Sequence, residues 1–152
     1  MSRLKRNATA GALAVGLIGG FEGLRQNAYP DPGTHGKPWT ICYGHTGDVH
    51  PGDHMTVADC KSQLVNDLET YADKVETCTH VPMPDARFVA FVSFAYNLGP
   101  GRYCSAIAPL VNNGKTREAC DKLLDYDRAA GVVLPGLHSR RQRERAFCVE
   151  GL

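Results

Sequence analysis

Two carboxyl side chains, Glu22 and Asp31, have eight residues between them on the segment Glu22-Gly-Leu-Arg-Gln-Asn-Ala-Tyr-Pro-Asp31, and a pair of this kind is what hydrolysis of a glycosidic bond requires. One acid protonates the leaving oxygen while a second group acts from the other face of the sugar. Glu22 follows an apolar run that ends in Phe21, where partial desolvation is expected to keep it protonated for donation. Asp31 sits among Pro30, Pro32 and Gly33, a polar turn in which it is expected to stay ionised. Spacing alone makes this a weak signal. Surface loops often hold an Asp, and Glu22 with Arg25 at i,i+3 would form a plain helix ion pair of about 0.2–0.5 kcal/mol.

Other chemistries have less support. His45, His50 and His54 suggest a metal site and with it a metallohydrolase, but Pro51 and Gly52 interrupt the helix that paired histidine ligands prefer, and no HExxH occurs. No metal and no cofactor are expected. Lys plus Arg (17) nearly balances Asp plus Glu (16), for a formal net charge of +1, so the broad basic field of a nucleic-acid binder is missing. Basic residues do cluster at 2–6 and 139–145. They read either as solvated terminal faces or as patches that attract anionic polymer or lipid.

Six cysteines, Cys42, Cys60, Cys78, Cys104, Cys120 and Cys148, are many for a reduced cytosolic enzyme of this length, and their number is even. They point to an oxidising destination. No CxxC occurs, so a compact zinc site or a thioredoxin-like pair is poorly supported. Many pairings are open to six cysteines; joining successive ones, Cys42 with Cys60, Cys78 with Cys104 and Cys120 with Cys148, is the working expectation. Six reduced thiols acting as small core residues are the alternative.

The elements that must position these groups follow from periodicity and punctuation. The length, 152 residues, suits one domain spanning 1–152, acting as a monomer. A first helix is expected over residues 10–25. From 28 to 55, Pro and Gly cluster around Trp39, Thr40, Ile41, Cys42 and Tyr43, which reads as a small strand and hairpin region. Thr56 with Asp59 resembles a capping box, and Val57, Leu64, Val65, Leu68, Ala72 and Val75 follow at helical spacing. This predicts a long helix joining two lobes. Pro84 and Asp85 open a helix over 87–98 whose Phe88, Val89, Phe91, Val92, Phe94, Ala95 and Tyr96 leave almost no polar face, as suits the centre of a core. Gly99 and Pro100 stop it. Shorter helices are expected over 103–112, 116–127 and 137–148, with Gly114, Gly131 and Pro135 as punctuation. The class is α+β, mostly helical, with one small sheet.

The stretches Phe21-Glu22-Gly-Leu-Arg25, Ala28-Tyr29-Pro-Asp31 and Trp39-Thr40-Ile-Cys-Tyr43-Gly44-His45-Thr46 together resemble the phage-type lysozymes, glycoside hydrolase family 24. The likeness continues through Ser93-Phe-Ala-Tyr-Asn97-Leu-Gly99 and Gly136-Leu-His-Ser-Arg140-Arg141-Gln-Arg-Glu144-Arg-Ala-Phe-Cys148, nearly the whole chain. It implies a lysozyme-like two-lobed domain and a catalytic set of Glu, Asp and Thr, which falls on Glu22, Asp31 and Thr40. Eight residues separate Asp31 from Thr40, more than the family usually has, so Thr34 is a rival for the hydroxyl role. The Ile-Cys-Tyr-Gly-His that follows Thr40 favours Thr40. Tyr43, Gly44, His45 and Asn97 are candidate substrate contacts or, equally, structural residues. Arg140, Arg141 and Glu144 read as an ion-paired brace between helices.

The implied activity is that of an endolysin, hydrolysing the β-1,4 bond between N-acetylmuramic acid and N-acetylglucosamine in bacterial peptidoglycan. Inversion is expected, for which a carboxyl separation of roughly 6.5–9.5 Å would be the mark. The alternatives are a lytic transglycosylase on the same bond, a metallo-amidase on the peptide stems, and a non-enzymatic wall-binding or membrane-active protein. Arg3, Lys5 and Arg6 precede 14 uncharged residues, 8–21, in the charge order of an export signal. Cleavage there would remove the segment that positions Glu22, and the run is short of the roughly 20 residues that span a bilayer. Some endolysins of this kind use a signal-anchor-release segment. That implies transient contact with the inner membrane and a periplasmic or extracellular destination, the alternative being host cytoplasm and release through a holin pore.

Overall fold

The chain begins with a short helix that periodicity does not announce, α1 (Arg3–Arg6), followed by α2 (Ala8–Glu22). The computed structural model describes residues 1–32 and 35–152. Ser2 caps α1, and Asn7 caps α2 by accepting from the N–H groups of Thr9 and Ala10, donors that every helix start must satisfy. Residues 2–6 are thus only in part a solvated basic face: Lys5 and Arg6 are exposed, but Ser2, Arg3 and Arg6 are tied to carboxylates of the following helices. Arg3 Nε donates to Asp85 at 2.8 Å, Arg6 Nη2 donates to Glu76 at 3.3 Å, and the Ser2 amide and hydroxyl both donate to Glu69.

α2 stops at Glu22 instead of running on to Arg25, because Gly23 adopts φ +75 and its N–H closes on the Gly19 carbonyl. That ending favours a residue without Cβ. β1 (Arg25–Pro30) then pairs antiparallel with β2 (Trp39–Cys42), in the register Arg25 with Cys42, Tyr29 with Thr40 and Pro30 with Trp39. With the turns up to Met55, this hairpin forms the small lobe.

Thr56 caps α3 (Val57–Cys78), accepting from the Asp59 N–H at 3.1 Å. Cys60, Leu64, Leu68, Ala72 and Val75 form its buried stripe, the face that amphipathic spacing predicts. α4 (Asp85–Leu98) is buried continuously from Ala86 to Ala95 and packs against α2, α3 and α8 (Pro135–Cys148). The expected central helix is therefore the hub of the second lobe.

The expected helix over 103–112 is divided. α5 (Pro100–Arg102) leads into a widened π turn over Tyr103–Ile107 and then α6 (Ala108–Asn112). Pro109 has no N–H to donate to a carbonyl one turn back, and the widening lies directly before it. α7 (Thr116–Lys122) ends earlier than expected, in a tight 3₁₀ turn, Leu123–Asp125.

One small sheet was expected, but the described residues contain two. β3 (Arg128–Ala129) and β4 (Val132–Val133) form a second hairpin around Ala130 and Gly131, both at positive φ. Such a loop matches the twist of paired strands, but two-residue strands are too short to leave a periodic pattern. Leu134 flanks Pro135 at the start of α8, two residues before the helix was expected.

All three disulfides join successive cysteines: Cys42–Cys60, Cys78–Cys104 and Cys120–Cys148. The first ties the small lobe to α3. The other two fasten the π turn to the end of α3, and α7 to α8. No helix among the described residues is long and apolar enough to cross a membrane.

Candidate active site

Glu22 is the last residue of α2, with its side chain 27% exposed. Its Oε1 accepts from Arg140 Nη1 at 3.0 Å. The expected setting, a carboxyl desolvated against Phe21, is therefore replaced by a part-exposed carboxyl held by a guanidinium. Phe21 contributes differently: its ring lies under Arg140 at 4.6 Å and under Arg143 at 5.2 Å. Two cation–π contacts thus fix the last turn of α2 against α8. Arg25 is not Glu22's helix partner, because it has entered β1 and stacks on Tyr29 at 4.2 Å.

Behind Glu22 lies the brace expected from Arg140, Arg141 and Glu144, all buried. Arg140 Nε donates to Glu144 Oε2 at 3.4 Å, Arg141 Nη2 donates to the same oxygen at 3.1 Å, and Ser93 Oγ also donates to it. Burial pushes the Glu144 carboxyl up from its ordinary value, against the opposing influence of Arg141, Ser93 and Arg140. Residues 139–145 are accordingly only in part a solvated basic face, with Arg143 exposed. Their two central guanidiniums lie inside the protein, and one of them reaches the candidate acid.

The β1–β2 hairpin carries the other two candidates. Asp31 follows the last residue of β1, and its carbonyl accepts from the Gly36 N–H at 2.8 Å. Thr40 lies in β2 opposite Tyr29, 5% exposed, and its Oγ1 donates to the Pro38 carbonyl at 3.3 Å. Asp31 and Thr40 thus share the Pro30–Trp39 end of the hairpin, while the Arg25–Cys42 end adjoins Glu22. Thr34 lies outside the described residues.

Of the four candidate contacts, Gly44 is beside the acid: at φ +87, a Cβ there would stand 4.0 Å from Glu22 Oε2. Tyr43 is only 8% exposed and lays its ring on Gly19, where a Cβ would meet it at 3.1 Å. It belongs to the core, not to the cleft surface. His45 Nδ1 lies 2.9 Å from Asp67 Oδ2, and its Nε2 lies 2.9 Å from the Gly47 carbonyl, so it joins the small lobe to α3. Asn97 Oδ1 accepts from Arg141 Nη2 at 2.8 Å, which places it at the end of the brace.

Beside Gly44 opens a pocket of about 350 Å³ lined by Gly44, His45, Thr46, Gly47, Asp67, Thr70, Tyr71 and Tyr96. Tyr71 and Tyr96 meet edge to face with centroids 5.0 Å apart. Burial, with the charges of Glu22 and Asp67 and the neighbouring Tyr71, pushes the Tyr96 phenol up to about 12. Sequence reading missed this wall. Its signal was Asp67, Thr70 and Tyr71 at i, i+3 and i+4 on one helical face, and a Tyr directly before Asn97. A larger groove of about 550 Å³ between α1–α2 and α3 is lined without any carboxylate.

The three histidines that suggested a metal turn to different partners: His45 to Asp67, His50 to Asp48 and Asp53, and His54 to Asn27. Among the described residues no cluster of three metal-ligating side chains occurs.

A family model described as phage lysozyme matches residues 19–144. The chain is 35% identical over 166 residues to the SAR-endolysin of Bacteriophage PS119, covering 99% of this chain and 98% of that one. Among solved structures, the muramidase domain of SpmX from Asticaccaulis excentricus superposes with a TM-score of 0.77 at 33% identity, covering 90% of this chain and 94% of that one. A P22 lysozyme mutant superposes with a TM-score of 0.79 at 28% identity, covering 88% and 93%.

Proposed function

The chain belongs to the phage lysozyme family, and from that footing we propose that it hydrolyses the β-1,4 bond between N-acetylmuramic acid and N-acetylglucosamine in peptidoglycan, with inversion. It is a glycoside hydrolase with endolysin-type activity on the bacterial wall. The observation that carries the finer reading is the state of Glu22: one carboxyl oxygen is held by Arg140 and the other lies toward Gly44. A carboxyl fixed in this way presents Oε2 to the leaving oxygen without having to reorganise, which is how a general acid gains its rate. In this reading Asp31 and Thr40, from the far end of the hairpin, hold and activate a water across the ring. Inversion follows from water attack opposite the departing sugar, with no covalent enzyme intermediate.

The test is turbidity loss of purified cell walls with mass analysis of the products. Glu22→Gln should lower the rate by about 10²-fold or more while leaving thermal unfolding near that of the parent. Products heavier by one water support hydrolysis; anhydro products would reassign the chain to lytic transglycosylases. Wall cleavage by Glu22→Gln at the parental rate would remove Glu22 from the mechanism.

The export reading is supported by relatives described as SAR-endolysins. It has α2 contacting the inner membrane in passing and then docking with its neighbours, uncleaved, in a periplasmic enzyme. The docked helix carries Glu22, and the residues before it grip Glu69, Glu76 and Asp85. A reporter active only outside the cytoplasm, fused after residues 1–20, should be switched on. A silent reporter rejects export through this segment.

A further inference from the structure

We propose that Glu144 is a positioning residue for the glycosidic step: from inside the protein it shares Arg140 with Glu22, so that the guanidinium aims Glu22 by a hydrogen bond without holding it in the ionised form, which has no proton to give. This rests on the hydrolase reading and adds to it a second carboxyl, one that is out of the sugar's reach.

The conflict that Glu144 resolves lies at Glu22. A general acid must carry its proton when the substrate arrives, yet an opposite charge within hydrogen-bond distance favours the ionised carboxylate. Arg140 Nη1 lies 3.0 Å from Glu22 Oε1. Among the described residues Arg140 has one other carboxylate partner, Glu144, whose Oε2 lies 3.4 Å from Nε. The two partners differ in setting, since the Glu22 side chain is 27% exposed and that of Glu144 is fully buried. Charges kept from water are screened far less, so the inner carboxylate offsets Arg140 more strongly than its longer contact suggests.

Glu144 is ringed by donors. Arg140 Nε, Arg141 Nη2 and the Ser93 hydroxyl all donate to Oε2, and Arg141 Nε lies 2.7 Å from Oε1. Ser93 Oγ also accepts from Arg140 Nη2 at 3.3 Å, which turns its own proton toward Glu144. A carboxyl met only by donors has the pattern of the ionised form. Burial raises the Glu144 carboxyl above its ordinary value while Arg141, Ser93 and Arg140 pull it back; the ring of donors is what lets a buried carboxylate persist. With Glu144 charged, two cations and one anion stand behind Glu22. Without it, Glu22 is the sole carboxylate left to Arg140. The other groups around Glu22 are Arg143 of α8, which lies over the Phe21 ring at 5.2 Å, Asp67 of α3, which pairs with His45, and Arg25 of β1, which is turned onto Tyr29. The Tyr96 phenol of α4 is pushed up to about 12 and stays neutral where the enzyme works. All of these are common to the parent and the variants below, so a difference between variants isolates the brace.

The experiment follows the proton in two ways on the full chain: the pH profile of kcat/KM on purified peptidoglycan, and the NMR shift of the Glu22 carboxyl carbon against pH. Glu144→Gln keeps the shape and removes the charge. Its alkaline limb and its Glu22 titration should both move to lower pH by roughly one unit. That lowers kcat/KM on the alkaline side by about tenfold and leaves the acid side near the parent. Arg141→Gln removes a cation and keeps Glu144 on Arg140 and Ser93, so it should move both the other way. Thermal melts show which variants are folded; if Glu144→Gln is not, Arg141→Gln decides alone. Activity that falls by the same factor at every pH overturns the proposal, as do a limb and a titration that coincide with the parent's. The two readings fail separately. A parent that releases no sugar from walls, while its Glu22 titration still moves in opposite directions in the two variants, sinks the hydrolase reading and keeps the coupling; a parent that cleaves walls while limb and titration stay put in both variants does the reverse.

Discussion

Arg140 donates to Glu22 through Nη1, to Glu144 through Nε, and to the Ser93 carbonyl and hydroxyl through Nη2, so one planar fork ties the candidate acid to the buried brace. Lysine carries its three N–H donors on one nitrogen at the end of a flexible stem and cannot span the separate partners that the three guanidinium nitrogens reach. Arg140→Lys should therefore lower kcat on purified walls by about tenfold or more, with a smaller change in KM, since orientation of the acid is lost and sugar contacts are kept. Arg140→Leu should also destabilise the fold by about 3 kcal/mol or more, because it leaves buried carboxylate charge undercompensated; urea unfolding measures this. Unchanged kcat in Arg140→Lys would mean that the guanidinium does not position Glu22. The stretches that carry Glu22, Asp31, Thr40 and Gly44 lie close together in sequence, and it is their resemblance to a family, more than spacing, that singled those residues out. The contact between Glu22 and Arg140 spans 118 positions, and no local pattern records it.

α2 shows at the level of an element how an apolar segment whose one charged residue is its last, Glu22, is fixed in place. Its N-terminal end is held by α1 on the carboxylates of Glu69, Glu76 and Asp85, and its C-terminal end by Arg140 and Arg143 on Glu22 and Phe21. Burial works to raise the Glu69 carboxyl, but the Ser2 hydrogen bonds and the charges of Lys5 and the N-terminus outweigh it and hold the group below its ordinary value near 4.5. A carboxyl depressed in the folded state contributes stability above the ordinary value and loses it as pH falls through the lower folded one. Thermal melts of the parent and Glu69→Gln should thus differ most near neutral pH and converge as pH falls below the ordinary carboxyl range and through the lower folded value. A difference that grows in acid contradicts this picture of α1. Helical spacing made α3 and α4 readable, since Leu64, Leu68 and Ala72 form one buried face and Phe88 to Ala95 leave none exposed. It could not reveal α1, whose four residues carry a single buried side chain, Leu4. Nor could it place the end of α2, which depends on the conformation of Gly23, or the second hairpin, whose strands are two residues each.

For the whole molecule, the three disulfides divide their work between the lobes. Cys42–Cys60 is the covalent tie between the hairpin that carries Asp31 and Thr40 and the helix that carries Asp67, whereas Cys120–Cys148 joins two helices of the same lobe. A bridge that closes 18 residues is worth roughly 3 kcal/mol on chain-entropy grounds, and for a chain of this size that corresponds to a fall in Tm of roughly 6–12 °C on removal. Replacing either pair by alanine should cost stability of this order, but the consequences should separate by region. Without Cys42–Cys60, the amides of residues 25–55 should lose hydrogen-exchange protection ahead of α4, and wall cleavage should fail at temperatures where the helical lobe is still folded. Without Cys120–Cys148, protection should fall first around α7 and α8, with cleavage declining only as the whole protein melts. Hydrogen exchange followed by mass spectrometry, run beside activity at stepped temperatures, distinguishes the two. Equal and simultaneous loss of protection in both lobes for both variants would mean that the lobes unfold as one cooperative unit and that the first disulfide has no special part in holding the cleft together.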